Sequence, residues 1–396
     1  MNGAGGDGGP AFPLWPVVVI GVAGTAMFNV APLFLQTQAA HFELSDREIG
    51  WLMAAEIVGI ALASVVMLLS MRRYLLRQTA FLGAAVIVAG NLVSPWIDSF
   101  AVFLGLRFVI GLFGDGLAYV TAIITLGRHP NPIRAFALLS FSNMCLSGVA
   151  LALLPLLPVA LLRPGVISLL VLLALLALVF WRRFPRFDGE VEPATVRTAF
   201  RLSPVHLLGL AGLFAFTVNL GAVWGYAERL GAGIGMEVGI SARLLSLSVV
   251  FQALGSLLAV YLSRYTRPIP VLLLVALLQA VGLLFQATAT GPWTYLAGFS
   301  LWGASWNLGI ANFLGLLAKM EQGRRVLALA PGIEALGAAA GPVIAASLLL
   351  YGTNFVVPLI AAFSTTVAVL VFLQIALHVT SAPGPSRRVV RARIDP

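Results

Sequence analysis

Twelve times along this chain some 20 residues pass with almost no charge, and the breaks between these runs are short and rich in Arg, Pro and Gly. A helix needs about 20 mostly apolar residues to cross the hydrocarbon of a bilayer. The runs fall near 14–36, 48–70, 79–97, 100–127, 134–157, 165–182, 204–228, 240–263, 268–289, 292–318, 325–350 and 354–380. They are continuous rather than alternating, which selects helices over a transmembrane barrel. Composition agrees: 60% of the 396 residues are hydrophobic and 10% charged, where soluble domains carry about 25% charge. The expected fold is an all-α membrane protein of twelve transmembrane helices.

Charge placement sets the topology. With an even number of spans both termini share one side, and on that side "MRRYLLR", "GRHPNPIR", "WRRFPRF…VRTAFR", "SRYTR", "KMEQGRR" and the tail "SRRVVRAR" hold 19 of the 24 Lys and Arg. The opposite loops hold Arg47, Arg163, Arg229 and Arg243, and Arg107 lies within a span. The positive-inside rule then puts both termini in the cytoplasm of a bacterial-type plasma membrane. The net charge of +9 is accounted for by topology, so no nucleic-acid partner is expected. The opening "MNGAGGDGGPAFP" has no Lys or Arg, unlike the basic start of a cleaved signal, and the first span is expected to stay as an anchor. The single cysteine, Cys145, excludes an intrachain disulfide; its apolar run suggests a buried thiol.

The longest polar break, 181–203, divides the chain into an N-terminal six-helix bundle (1–180), a linker, a second bundle (204–380) and a basic tail (381–396). The halves echo each other. Setting Tyr74 on Tyr265, an offset of 191, brings Asn29 of the first span within one residue of Asn219 of the seventh. Ser45 and Ser241 mark polar steps before the second helix of each half. Parallel six-helix repeats are a mark of one transporter architecture.

These residues resemble the major facilitator superfamily. The fourth span carries Arg107, Gly111, Gly114 and Gly116, similar to the family's Arg-x-x-x-Gly signature, and "HPNPIRAFAL" follows it. The family's loop signature, Gly then Asp-Arg-x-Gly-Arg, is echoed by Gly255 and "SRYTR", with Ser263 in place of the acid and Thr266 in place of the glycine. "LSMRRYLLR" is the weaker first copy. The resemblance implies two pseudo-symmetric bundles and a gating role for Arg72, Arg73, Arg264 and Arg267 in the cytoplasmic loops. "GIEALGAAAGPV" in the eleventh span looks like the Gly-Pro pattern of some antiporters.

Ionisable residues at bilayer depth cost about 2.5–3.5 kcal/mol on insertion scales. Glu56, Arg107, Asp115 and Glu334 lie well within spans and are the proton-coupling candidates. Asp115 suits a site that binds a proton or meets a cationic solute; the bland reading is a tie between helices. Arg107 reads either as a site residue that could hold a carboxylate or as a side chain reaching the nearby interface. Glu56 and Glu334 read as second proton sites or as inter-helix clamps. Arg107 and Asp115 are eight positions apart, about 12 Å of rise and roughly 80° of rotation on a regular helix, which argues against a direct pair. Glu228 and Arg229 read as an interfacial pair.

In the resembled family the first, fourth, seventh and tenth helices line the central cavity. That implies Asn29, Asp115, Tyr119, Asn219, Trp224, Tyr226, Trp302, Trp306 and Asn307 as lining residues. Trp15, Trp51, Trp96 and Trp293 sit near span ends and suit the interfacial belt. Gln36, Gln38 and His41 read as loop residues. The four histidines are scattered, with no metal-ligand spacing, and there is no phosphate-binding loop or catalytic set. No cofactor or metal is expected, and the partners are a small-molecule substrate, protons and membrane lipids, the protein acting as a monomer.

The expected function is therefore secondary, proton-coupled transport of a small organic solute by alternating access, not catalysis. Aromatic spans and the Gly-Pro pattern favour an antiporter exporting amphipathic compounds. Arg107 favours import of a small organic anion. A non-transporting receptor or lipid scramblase on the same fold is the rival from another class.

Overall fold

The computed structural model describes residues 12–70, 76–185, 202–320, 323–348 and 353–381. In chain order the helices are α1 (Trp15–Asn29), α2 (Ala31–Phe42), α3 (Asp46–Ser70), α4 (Leu76–Val93), α5 (Phe100–Val109), a π segment (Ile110–Asp115), α6 (Gly116–Leu126), α7 (Pro132–Leu153) and α8 (Val159–Phe180). There follow α9 (Pro204–Gly225), α10 (Ala227–Ala232), α11 (Val238–Tyr265), α12 (Pro268–Ala287), α13 (Pro292–Lys319), α14 (Gly323–Leu348) and α15 (Thr353–Ser381).

Ten stretches are long and apolar enough to cross a membrane, and α1 with α2 makes an eleventh, bent by 52°. The twelfth is α13, whose 28 residues extend about 42 Å and whose Asn, Ser and Trp face largely inward. The twelve-helix architecture is the expected one. Large apolar side chains such as Leu172, Leu277 and Phe363 stay exposed on the flanks, as lipid-facing positions require. Trp96 and Trp293, exposed near helix ends, fit the interfacial belt.

Three local expectations change. The first span does not end at 36: it breaks at Val30, where φ is −115°, and restarts as α2 with a proline in its first turn. Gln36, Gln38 and His41 are therefore helical, and Gln38 is buried, accepting from Arg163 Nε at 3.1 Å. Ser45 does precede α3, donating from its N–H at 2.9 Å and its Oγ at 2.6 Å to Glu48 Oε2, but Ser241 sits inside α11. Cys145 is exposed on α7 rather than buried, because the run that contains it turns only part of its face to the core.

The two halves share apolar cores at one end. We call the end where α8 finishes and α9 begins the linker face. Near it, apolar cores run across both halves: Leu126 and Ala135 pack in one cluster with Leu314, Leu317 and Leu327, and Met67, Val120 and Ile124 in another with Ala328. Toward the far face each half has its own core, around Met27, Phe34, Leu52 and Phe103 in one and Val223, Tyr295, Phe299 and Val357 in the other. The space between the halves is thus sealed at the linker face and parted at the far face. The seal is tight. A Cβ on Gly315 of α13 would lie 3.1 Å from Ile133 Cα at the start of α7, so only a glycine fits without the neighbour giving way.

Candidate functional site

The charged residues of the second and fourth spans form one buried cluster inside the N-terminal half. Arg107 donates from Nη2 to Glu56 Oε1 at 2.5 Å and from Nε to Glu56 Oε2 at 3.1 Å, a two-point clasp. Its Nη1 donates to Asn91 Oδ1 on α4 at 3.1 Å, and its guanidinium lies 4.7 Å from the centre of the Phe34 ring on α2. Arg107 and Glu56 are fully buried. This corrects two expectations for Arg107: it neither reaches the interface nor offers itself to a solute carboxylate. The cause is the crossing of α3 over the fourth span, where Gly59 meets the Phe108 carbonyl and Gly111 the Glu56 carbonyl. A Cβ at either glycine would come within 2.7 Å of those backbone oxygens, so the small residues draw Glu56 onto Arg107.

Asp115 ends the π segment. It forms no ion pair with Arg107, as expected, but the rotation argument does not hold on this helix. A π turn is equivalent to one inserted residue, so eight positions turn through about −20° instead of about +80°. Asp115 and Arg107 consequently project to the same side, toward α3. There Asp115 lies against the Glu56 carboxylate and feels the Arg107 charge. It is 3% exposed and its Oδ2 has no hydrogen-bond partner. Asp115 thus belongs to the packed interior of the N-terminal half and not to the cavity wall. The cluster holds two carboxyl groups and one guanidinium.

A second group of polar residues lies between the halves, near mid-depth. Tyr119 Oη on α6 donates to Glu334 Oε2 on α14 at 2.7 Å, leaving buried Glu334 Oε1 without a partner. Ser140 Oγ on α7 donates to Asn307 Oδ1 on α13. On the N-terminal side Asn143 Oδ1 of α7 accepts from Thr25 Oγ1 at 3.0 Å and from Asn29 Nδ2 at 3.1 Å. Trp306 is half-buried, stacked 5.9 Å from Phe216, and its Nε1 is unpartnered. Tyr119 and Asn307 thus bond across the gap between the halves, while Asn29 bonds to Asn143 and Trp306 stacks on Phe216 within their own halves. Thr25, Ser140 and Asn143 join them without having been singled out. Their signal was present in "SFSNM", three polar residues in an apolar run, on a helix that the family pattern does not count as lining.

Other expected lining residues serve the C-terminal half from within. Asn219 accepts from Trp302 Nε1 at 2.8 Å and donates to Thr365 Oγ1 at 2.8 Å. Asn219 and Trp302 are at most 1% exposed. Tyr226 is buried too, its hydroxyl 3.4 Å from the Pro342 carbonyl. Trp224 alone of this group stays partly exposed, stacked 6.3 Å from Trp302.

At the linker face, Arg264 and Arg267 are exposed, while Arg72 and Arg73 lie outside the described residues, as does the Glu228 side chain. The residue that bridges the halves there is Ser263, which stands where the resembled motif has an acid. Asn131 Nδ2, from the turn before α7, donates to Ser263 Oγ at 3.2 Å and to its carbonyl at 3.3 Å. The contact at this position is a neutral pair of hydrogen bonds.

Known proteins share this architecture. The chain is similar to the transporter FucP in its outward conformation, with 16% identity, a TM-score of 0.79, and 93% of this chain and 98% of that one covered. It is similar to the proton:xylose symporter XylE at 14% identity and a TM-score of 0.68, with 93% and 94% covered. The human organic anion transporter MFSD10 aligns at 15% identity and a TM-score of 0.69, with 91% and 97% covered. These likenesses concern the fold. A search of curated proteins finds no significant sequence match. A profile of the Major Facilitator Superfamily, however, matches residues 17–330. The chain belongs to the Major Facilitator Superfamily, and it is a multi-pass membrane transporter, not an enzyme.

Proposed function

We propose that this transporter couples solute movement to protons, and that the Glu56–Arg107–Asp115 cluster holds the coupling proton. One observation carries the proposal: two buried carboxyl groups share one guanidinium, and Asp115 Oδ2 is left without a partner. Such a cluster is neutral only with one proton aboard, and net charge at this depth is costly. Gaining or losing that proton changes the cohesion of α3 with the fourth span, which both pack on α14 across the half interface. The proton-coupled symporters among the structural relatives are compatible with this reading.

The 19 Lys and Arg on the linker side make that face cytoplasmic by the positive-inside rule, in a plasma membrane. The form described here then opens outward, and transport proceeds by parting the linker-face core while the far-face cores close. The exposed and half-buried aromatics Trp224 and Trp306 favour amphipathic solutes leaving the cell. Arg107, spent on Glu56 and Asn91, gives no support to an organic-anion importer.

Solute counterflow in proteoliposomes is the test. Asp115→Asn is expected to keep solute-for-solute exchange while losing most of the transport that a pH gradient drives. Undiminished pH-driven transport in that variant refutes the assignment, and absence of exchange for every solute tried supports a receptor or scramblase.

A further inference from the structure

We infer that the transported solute carries a positive charge and that Glu334 receives it at the Tyr119–Trp306 level between the halves. The inference rests on the solute-transport reading above but concerns a different acid from the one assigned the coupling proton.

Glu334 has one oxygen bound and one free. Oε2 takes the Tyr119 hydroxyl at 2.7 Å, and Oε1 is buried with no partner. A carboxyl group in that state is completed by a proton or by a cation, since an unpaired buried charge is unfavourable. Among the described residues none supplies a cation to it. Arg107 is consumed inside the N-terminal half. Every other described Lys or Arg stands within about two turns of a helix end. Tyr119 is the titratable group that acts on Glu334 among the described residues. The parts of α3 and α9 that close on α14 bring Ser64, Ala61, Phe214 and Thr217.

The surroundings suit an organic cation. Tyr119 offers a ring beside the acid, and half-buried Trp306, backed by the buried Phe216 ring of α9, presents a π face on α13, which packs against α14. An anion would meet a carboxylate here and no positive group. Cation and proton then compete for one oxygen: when the cation arrives, protonated Glu334 releases one proton, and charge stays balanced.

Tyr119 also ties this acid to the conformational cycle. Opening the linker face draws α6 from α14 and frees the second oxygen as well, so the carboxylate is most available to a cation from the linker side.

The test is a binding measurement on the purified full-length protein. Monovalent organic cations, tetraphenylphosphonium and quaternary ammonium ions among them, are compared with uncharged isosteres of the same shape and with organic anions, at pH 6 and pH 8. The cations are expected to bind the wild type better at pH 8 than at pH 6. Glu334→Gln should weaken them at least about tenfold and remove the pH dependence. Tyr119→Phe, which keeps the ring, should bind as well or better. A second readout needs no variant: a bound cation should protect Glu334 of the wild type from carbodiimide labelling, read by mass spectrometry. The inference is overturned if isosteres bind as well as cations, if no cation binds, if Glu334→Gln binds them undiminished, or if labelling is unprotected. Proton-coupled exchange of a neutral or anionic solute would overturn the charge assignment while leaving secondary transport intact.

Discussion

Tyr119 on α6 and Glu334 on α14 are joined by a 2.7 Å hydrogen bond that crosses from one half of the transporter to the other. It lies on the closed side of the molecule, so any opening of the linker face must break it. Removing the hydroxyl should therefore favour opening. A hydrogen bond of this kind contributes about 0.5–1.5 kcal/mol net, which shifts a two-state population several-fold. Tyr119→Phe is expected to enrich the linker-open form, read as longer spin-label distances between the linker-face ends of α6 and α14; an unchanged distribution counts against the role.

The linker-face seal should be lockable. The short approach of position 315 to Ile133 places the two Cα atoms at a separation a disulfide tolerates. In a Cys145→Ser background, Ile133→Cys with Gly315→Cys should cross-link on oxidation and stop transport, with reduction restoring it. Ile133→Cys removes the Cγ1 that a Cβ at 315 would strike first, leaving the backbone Cα and N, 3.1 and 3.2 Å away, to give by a few tenths of an ångström. Continued transport by the fully cross-linked protein would show that this face does not open.

The Arg107–Glu56 clasp should matter more when broken than when replaced. Arg107→Ala leaves buried acids uncompensated, a loss of about 3–5 kcal/mol by analogy with other buried pairs. Thermal unfolding in detergent should show a large fall in Tm. The double exchange Arg107→Met with Glu56→Met should recover much of it. A double variant no more stable than the single one would mean that the pair is not the main tie at this crossing.

The Asn219 node should behave as packing. Asn219→Ala strands Trp302 Nε1 and Thr365 Oγ1, each bonded at 2.8 Å, at about 1–3 kcal/mol for groups left unpaired in the core. Tm should fall while the affinity of the folded protein for solute holds. Intact stability with lost affinity would return Asn219 to the cavity wall.

What could be read from the chain alone follows from which forces are local. The span count is legible because each helix must satisfy the hydrocarbon by itself. Partnership was not legible. Arg107 finds Glu56 at 51 positions' separation, through a Gly59–Gly111 crossing that no periodicity encodes. The π segment before Asp115 has no clear sequence mark, and it reversed the phase argument for this acid. Asn219 and Asn29, aligned by the internal repeat, took different fates: one is sealed in its half and the other is bonded to Asn143. Ser263 shows a departure from the resembled motif that was legible, while its hydrogen bonds to Asn131 across the halves were not.

On the coupling proposed above, solute and proton movements are linked in a protein whose buried acids, Glu56 and Asp115, outnumber its buried base, Arg107, among the described residues. The most direct measurement is the internal pH of proteoliposomes, read with a trapped dye, when a gradient of a solute that stabilises the purified protein is imposed. Wild-type protein is expected to shift internal pH on addition of that solute, and Asp115→Asn to pass the solute with a much smaller shift, the remainder coming from the proton exchanged at Glu334. Solute entering through the wild type with no change in pH would contradict it.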